Sequence, residues 1–269
     1  MQISHLGWAQ VSYAQLDGES ILRVSMAMDV VRLAVWSGPR NISTALMRSW
    51  ENRPDTVVVD EPLYAYYLAQ TGAEHPGRAE VIATGETRWR RVVDDLLGPV
   101  RAGAAVFYQK QMAHHLLPAV GREWLGTLVN VLLIRDPAEV VTSYLRSRDT
   151  VTPRDVGLLQ QVELYDALSA RGCPPLVLDA ADVLLDPEAY LRLLCAHIGV
   201  PFMPTMLSWP AGPRETDGVW APYWYDAVRR STGFERYRPR DVRLDGEAVR
   251  VADECQPLYE ELRAVRVRV

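Results

Sequence analysis

Three observations predict an α/β fold with a parallel sheet of about four or five strands flanked by helices. Short apolar runs alternate with segments of helical spacing along most of the 269 residues. Several of those runs are apolar at consecutive positions, the pattern of strands covered on both faces. Apolar residues make up 48% of the chain, enough for a sizeable core.

The elements follow in order. Residues 32–36 read as a buried strand and 42–52 as a helix. Residues 56–59 are β-branched and brief, so a strand, and 63–69 return to helix. Residues 86–100 carry apolar positions at helical spacing. Residues 105–108 read as a strand and 111–117 as a helix. The clearest strand is 128–134, which is almost wholly apolar. Residues 137–148 read as a helix with Pro137 in its first turn. Residues 158–170 read as another helix, 176–178 as a strand, and 187–198 as a helix ending at Gly199. The stretch from 201 onward is richer in Trp, Tyr, Pro and Arg and ends in a helix from about Glu247. No repeat, linker or low-complexity segment breaks residues 31–269, which read as one domain. Residues 1–30 are weakly patterned, with Met26 and Met28 close before the first strand. They read either as an extension outside the fold or as an N-terminal element packed on it.

The net charge of -5 gives no reason to expect nucleic-acid binding. Lys110 is the only lysine among the 29 basic residues, a bias that fits a GC-rich genome and singles Lys110 out. Cys173, Cys195 and Cys255 have no metal or redox spacing, and so sparse a count fits a reducing compartment. No apolar run approaches the roughly 18 residues of a membrane span. The first residues lack a basic-then-apolar signal pattern. The sequence therefore reads as soluble and cytoplasmic, with no membrane partner. Nothing in it sets an oligomeric state.

Chemistry enters at Gly38-Pro39-Arg40-Asn41-Ile42-Ser43-Thr44, between the first core strand and its helix. Free N–H groups and the helix dipole make such a turn attractive to anions, and ligands of open α/β sheets bind at strand carboxyl ends. Gly38 and Pro39 shape the turn, Ser43 and Thr44 add hydroxyls, and Arg40 adds charge. The Gly-Lys-[Ser/Thr] of a nucleotide triphosphatase is absent. A second segment has Arg135 leaving the end of the clearest strand and Ser143 eight positions later in the next helix. Two helical turns rise about 11–12 Å, so a chain folding back across the strand end can bring both to one phosphate.

The pairing resembles the PAPS-dependent sulfotransferases, closest to their bacterial sulfotransferase-like branch. That family has a loop of the form Pro-[Lys/Arg]-Ser-Gly-Thr-[Thr/Ser] and an Arg-x7-Ser element. Pro39 to Thr44 match the first with substitutions, and Arg135 and Ser143 match the second in spacing and context. The resemblance covers residues 31–240 or so and implies a P-loop-like α/β fold. It implies that the loop binds the 5′-phosphosulfate of PAPS, that Arg135 and Ser143 bind its 3′-phosphate, that PAP is the product, and that no metal is required. Asn41 and Ile42 depart from the family's Ser-Gly. Ile42 keeps a backbone N–H but cannot take positive φ as glycine does. Arg40 stands where many members have lysine, and it is the group that would neutralise the departing oxygen. Arg229, Arg230, Ser231, Thr232 and Gly233 resemble the family's late loop over the nucleotide, and equally read as a surface turn.

Transfer needs a base for the acceptor hydroxyl and stabilisation of the leaving oxygen. Glu61, in the Asp60-Glu61-Pro62 sequence at the end of the second strand, is the leading base candidate. The same residues also suit a helix cap. His114 and His115 are the rival, after a Lys-x-His-Leu-Pro-like element with longer spacing, and they also read as a structural pair. Lys110 sits at a strand end where it would meet the phosphosulfate. His5, His75 and His197 have no such context. Trp209, Trp220, Tyr223, Trp224 and Tyr225 read as core or as the lining of an acceptor pocket. The acceptor implied is a small-molecule hydroxyl, such as that of a secondary metabolite. The alternatives are a P-loop kinase using ATP, or a non-catalytic nucleotide-binding protein of the same fold.

Overall fold

The computed structural model describes residues 10–16, 19–25, 30–239 and 242–269, with backbone only for 10–16 and 19–25. Met26, Met28 and His5 lie outside the described residues. The chain divides into two compact units, Met1–Val30 and Val31–Val269. In the first, β1 (Gln10–Leu16) and β2 (Glu19–Ser25) pair antiparallel.

The second unit holds five parallel strands: β3 (Val31–Ser37), β4 (Thr56–Asp60), β5 (Val106–Met112), β6 (Val129–Ile134) and β7 (Leu176–Asp179). Their order is β4-β5-β3-β6-β7. The first strand is central because its residues need cover on both sides: Leu33, Ala34, Val35 and Trp36 are all fully buried. Leu33 and Val35 point into a core shared with Leu46, Met47 and Trp50 of α1 (Ser43–Glu51) and with Tyr190, Leu191 and Leu194 of α9 (Pro187–His197). Trp36 packs on the other face, where its indole donates to Asn130 at 3.0 Å and its ring meets Trp124.

After β4 come α2 (Tyr64–Thr71), α3 (Arg78–Thr84) and α4 (Trp89–Leu97). After β6 come α5 (Pro137–Tyr144), α6 (Pro153–Val156) and α7 (Leu158–Ser169). After β7 come α8 (Ala180–Leu185), α9, α10 (Ala221–Trp224), α11 (Asp226–Arg230) and α12 (Gly246–Ala264). The chain leaves β3 toward the β4 edge, and later leaves β6 toward the β7 edge. Such a reversal opens a crevice at the strand carboxyl ends.

Two local expectations are corrected. The helix read over 111–117 is not formed: β5 runs on to Met112 and only a 3-10 turn, Ala113–His115, follows. Pairing decides this, because Gln111 opposes Trp36 and Met112 opposes Ser37 on the central strand. The helix read over 137–148 stops at Tyr144. Helices α3, α6, α10 and α11 are four to seven residues long and too short to carry a readable period.

Candidate active site

The loop after β3 is drawn inward by its first residue. A Cβ at Gly38 would run into the carbonyl oxygen of Val156 at the end of α6. Gly157, with φ 80°, crosses beside it. The loop's left-handed residue is Arg40, with φ 53°, whereas Ile42 has φ -88°. The glycine of the family pattern is therefore not needed at Ile42. The Asn41 amide closes the loop onto β6 by donating to the Leu133 carbonyl at 2.8 Å. Its oxygen accepts the Ile42 N–H at 2.8 Å, so that N–H is engaged inside the loop. No side chain caps α1, which leaves its first-turn N–H groups at Ser43, Thr44 and Ala45 to face a cavity of about 290 Å³.

The β6 end continues the same wall. Asp136 caps α5 by accepting from the N–H groups of Ala138 and Glu139, with Pro137 at the first position. This turns Arg135 back across the strand end. Its guanidinium donates to Glu139 at 3.0 and 2.7 Å and to the Arg40 carbonyl at 2.8 Å. Tyr237 donates to the other Glu139 oxygen at 2.8 Å. Arg40 Nε donates to Ser143 Oγ at 3.1 Å. Arg135, Ser143 and the loop thus share one cavity, whose lining also includes Pro39 and Asn41.

A buried ion cluster forms the floor. Lys110 Nζ, 1% exposed, donates to Asp60 Oδ1 at 2.8 Å, Glu61 Oε1 at 2.5 Å and the Tyr225 hydroxyl at 2.8 Å. An ammonium has three donors, so Lys110 keeps none for a ligand. Tyr225 in turn donates to Asp60 Oδ2 at 2.6 Å. Both Asp60 oxygens are occupied, while Glu61 Oε2 has no partner among the described residues. Glu61 is held in place by its backbone: its N–H donates to the Lys110 carbonyl at 2.9 Å, and it sits at φ 42°. Among the described residues, Arg40 and Glu61 are the two non-glycine residues with positive φ, and strain of this kind collects at working sites. Burial pushes the Glu61 carboxyl above its ordinary range, against the pull of Lys110 and with help from Asp60. Burial opposes the charge on Lys110, but Asp60 and Glu61 outweigh it and hold the ammonium well above the usual lysine range.

His114 and His115 also line the cavity. His115 stacks on Tyr64 with centroids 4.7 Å apart and on Tyr67 at 4.7 Å. Burial lowers His114 to about 3 and His115 well below the normal value, so both rings are neutral near pH 7. Their Nδ1 atoms are buried without hydrogen-bond partners. His75, which the sequence offered no reason to choose, is at the rim, where its Nδ1 meets the Tyr64 hydroxyl at 2.8 Å. Burial lowers His75 to about 4. Trp224 and Tyr225 line the cavity, whereas Trp209 is core and packs on Phe234.

Of the late loop, Ser231 and Gly233 line the cavity, but Arg229, Arg230 and Thr232 do not. Ser231 Oγ donates to the Val228 carbonyl and accepts from the Trp209 indole, and Ser208 bridges Gly233. Those contacts fold the segment onto the 204–209 turn and carry both arginines away from the lining. Among the described residues no group of three or more His, Cys, Asp or Glu could hold a metal ion. None of their helices is long and apolar enough to cross a membrane.

A parallel sheet with an uncapped helix, two arginines and a serine around one cavity is an arrangement of donors suited to an anion. The chain belongs to the sulfotransferase family: the family described as "Sulfotransferase domain" matches residues 31–264. Its fold is that of a sulfotransferase from Alicyclobacillus acidocaldarius, with TM-score 0.51 and 16% identity over 88% of this chain and 96% of that one. It is also that of mouse sulfotransferase SULT7A1 complexed with PAP, with TM-score 0.50 and 11% identity over 88% and 90%. Two Arabidopsis thaliana proteins named branched-chain-amino-acid aminotransferase-like protein 2 and 1 are 35% and 37% identical. These matches cover 88% and 85% of this chain but 42% and 41% of the relatives. The chain spans about two-fifths of the length of those curated relatives.

Proposed function

We propose that this protein transfers a sulfuryl group from PAPS to the hydroxyl of a small, partly apolar acceptor in the cytoplasm, releasing PAP. The observation that carries the reading is the convergence of Arg135, Ser143 and the 38–44 loop on one cavity, tied by the Arg40–Ser143 contact at 3.1 Å. The donor set fits the ligand. Arg135 has five N–H bonds, three of them engaged, and so keeps two for a 3′-phosphate beside Ser143. The open first turn of α1 and the Arg40 guanidinium suit the 5′ end. Glu61 Oε2 accepts the acceptor's proton as the acceptor oxygen bonds to sulfur and the bond from sulfur to the bridging phosphate oxygen breaks. Arg40 balances charge on that oxygen. Positioning and electrostatics supply most of the rate, as in phosphoryl transfer. His114 and His115 are poorer bases, because a ring held far below its usual range binds a proton weakly at neutral pH.

Calorimetric titration with adenosine 3′,5′-bisphosphate, AMP and ATP tests this. Wild type should prefer the bisphosphate. Arg135→Ala should lose that preference by roughly tenfold or more, the equivalent of a charged hydrogen bond of about 1.5–3 kcal/mol. Equal binding of AMP would remove the 3′-phosphate site, and preference for ATP with magnesium would put phosphoryl transfer first. Bisphosphate binding without transfer to any acceptor in a broad screen would leave a nucleotide-binding protein.

A further inference from the structure

The ion cluster contains one residue that no motif pointed to. Tyr225 arrives from the far end of the chain, at the boundary of α10 and α11, and its hydroxyl is buried in the cluster. It accepts from Lys110 at 2.8 Å and from the Trp220 indole at 3.3 Å, and it donates to Asp60 Oδ2 at 2.6 Å. With its proton on Asp60, it has none for Glu61 Oε1, 3.5 Å away. The residue before it reaches the other wall, because the Trp224 carbonyl accepts from Arg40 at 3.5 Å. One dipeptide therefore touches both the loop cation and the carboxylate cluster.

We infer that Tyr225 is a positioning residue for Glu61. It takes the third donor of Lys110 and the second oxygen of Asp60, so that Glu61 Oε2 is the one carboxylate oxygen of the cluster left open. Through Trp224 it also fixes where that oxygen stands relative to Arg40. Without the hydroxyl, Lys110 has a donor to spare and Asp60 an oxygen to spare. The ammonium then has more than one arrangement between the two carboxylates, and the Glu61 orientation is no longer unique. The inference rests on the reading of Glu61 as base.

The single lysine makes the cluster directly observable. In full-length protein labelled at lysine Nζ with nitrogen-15, the one ammonium signal belongs to Lys110. Its protons should exchange slowly in wild type, and about tenfold or more faster in Tyr225→Phe. In protein labelled with carbon-13 at glutamate Cδ, the Glu61 signal is the one lost in Glu61→Gln. The groups facing Glu61 are Asp60, Lys110, Tyr64 and Tyr225. Removing the hydroxyl returns a donor to Lys110 that can go to Glu61, and takes a donor from Asp60. Both changes favour the charged Glu61 carboxylate, so Tyr225→Phe should move the Glu61 midpoint downward by about half a pH unit or more, and Trp220→Phe should move it less in the same direction. A mere packing role for Tyr225 leaves the midpoint where it is. Unchanged exchange and an unchanged midpoint in a folded Tyr225→Phe overturn the inference. Bisphosphate titration of the same samples separates the two readings. Normal binding with an unmoved midpoint sinks only the role of Tyr225. Absent binding in wild type with a shifted midpoint sinks the donor assignment and leaves the cluster standing.

Discussion

The two walls of the cavity solve opposite problems. The wall from the 38–44 loop and β6 is partly exposed, and its donors outnumber its acceptors. Arg135 is clamped by Glu139 yet keeps two N–H bonds, and the first turn of α1 is uncapped. The floor from β4 and β5 is buried, and every donor in it is engaged: three on Lys110, one on Tyr225 and one on Trp220. Its single open position is an acceptor, Glu61 Oε2. An incoming anion can satisfy the first wall, while the floor can take only a proton. The contrast shows why equal numbers of charges on a site do not mean equal readiness for ligand.

The largest expected effect breaks the floor. Lys110→Met leaves two carboxylates buried without a cation and should cost about 3–5 kcal/mol of folding stability. Urea unfolding at pH 7 reads this, and the loss should shrink on acidification, as protonation neutralises the carboxylates. Without that shrinkage, the cluster is not electrostatically coupled as described.

Acid should act next. His114 is held at about 3 and His115 far below normal, whereas unfolded histidines bind protons near 6.5. A lowered folded value gives stability that is present above pH 6.5 and lost as pH falls toward the folded value. The loss is about 1.4 kcal/mol per pH unit for each buried histidine. Glu61, whose folded value is raised, works in the opposite sense and blunts the slope. Unfolding titrations from pH 7 to 4 should show the fall, and His114→Gln should flatten it by one proton's worth.

On the opposite wall, Gly38→Ala places a methyl against the Val156 carbonyl and should cost about 1–3 kcal/mol, with weaker bisphosphate binding as the loop shifts. The smallest stability change is expected at Arg40→Gly. Glycine accepts φ 53° freely, so stability should hold or rise by up to about 1 kcal/mol. Bisphosphate affinity should still fall by about tenfold or more. A stability loss there would mean that Arg40 holds the fold rather than serving the ligand wall.

Much of the donor wall was readable because it is local. Asp136-Pro137 announces a capped helix, so Arg135 must lie at a strand end and Ser143 two turns on. The Gly38-Pro39 turn before a helix is equally plain. β5 misled for a physical reason: Gln109, Lys110 and Gln111 are buried strand residues, but three polar side chains in a row look like a helix start or a loop. His75 and Tyr64 carry no spacing signal, since they are joined by the packing of α2 and its following loop. The absence of Arg229 and Arg230 from the cavity lining goes with a bridge between Ser208 and Gly233, which lie 25 positions apart.

By itself the sequence determined the parallel α/β class, the turn before α1, and the placement of Arg135 at a strand end with Ser143 two turns into the helix that follows. Each follows from period, capping or spacing within a few turns of chain. Only the tertiary structure decided that Lys110 is spent on Asp60, Glu61 and Tyr225, and that Glu61 rather than Asp60 keeps an open oxygen. Those outcomes depend on hydrogen-bond saturation among groups 115 and 165 residues apart, and donor saturation is a property of the assembled cluster.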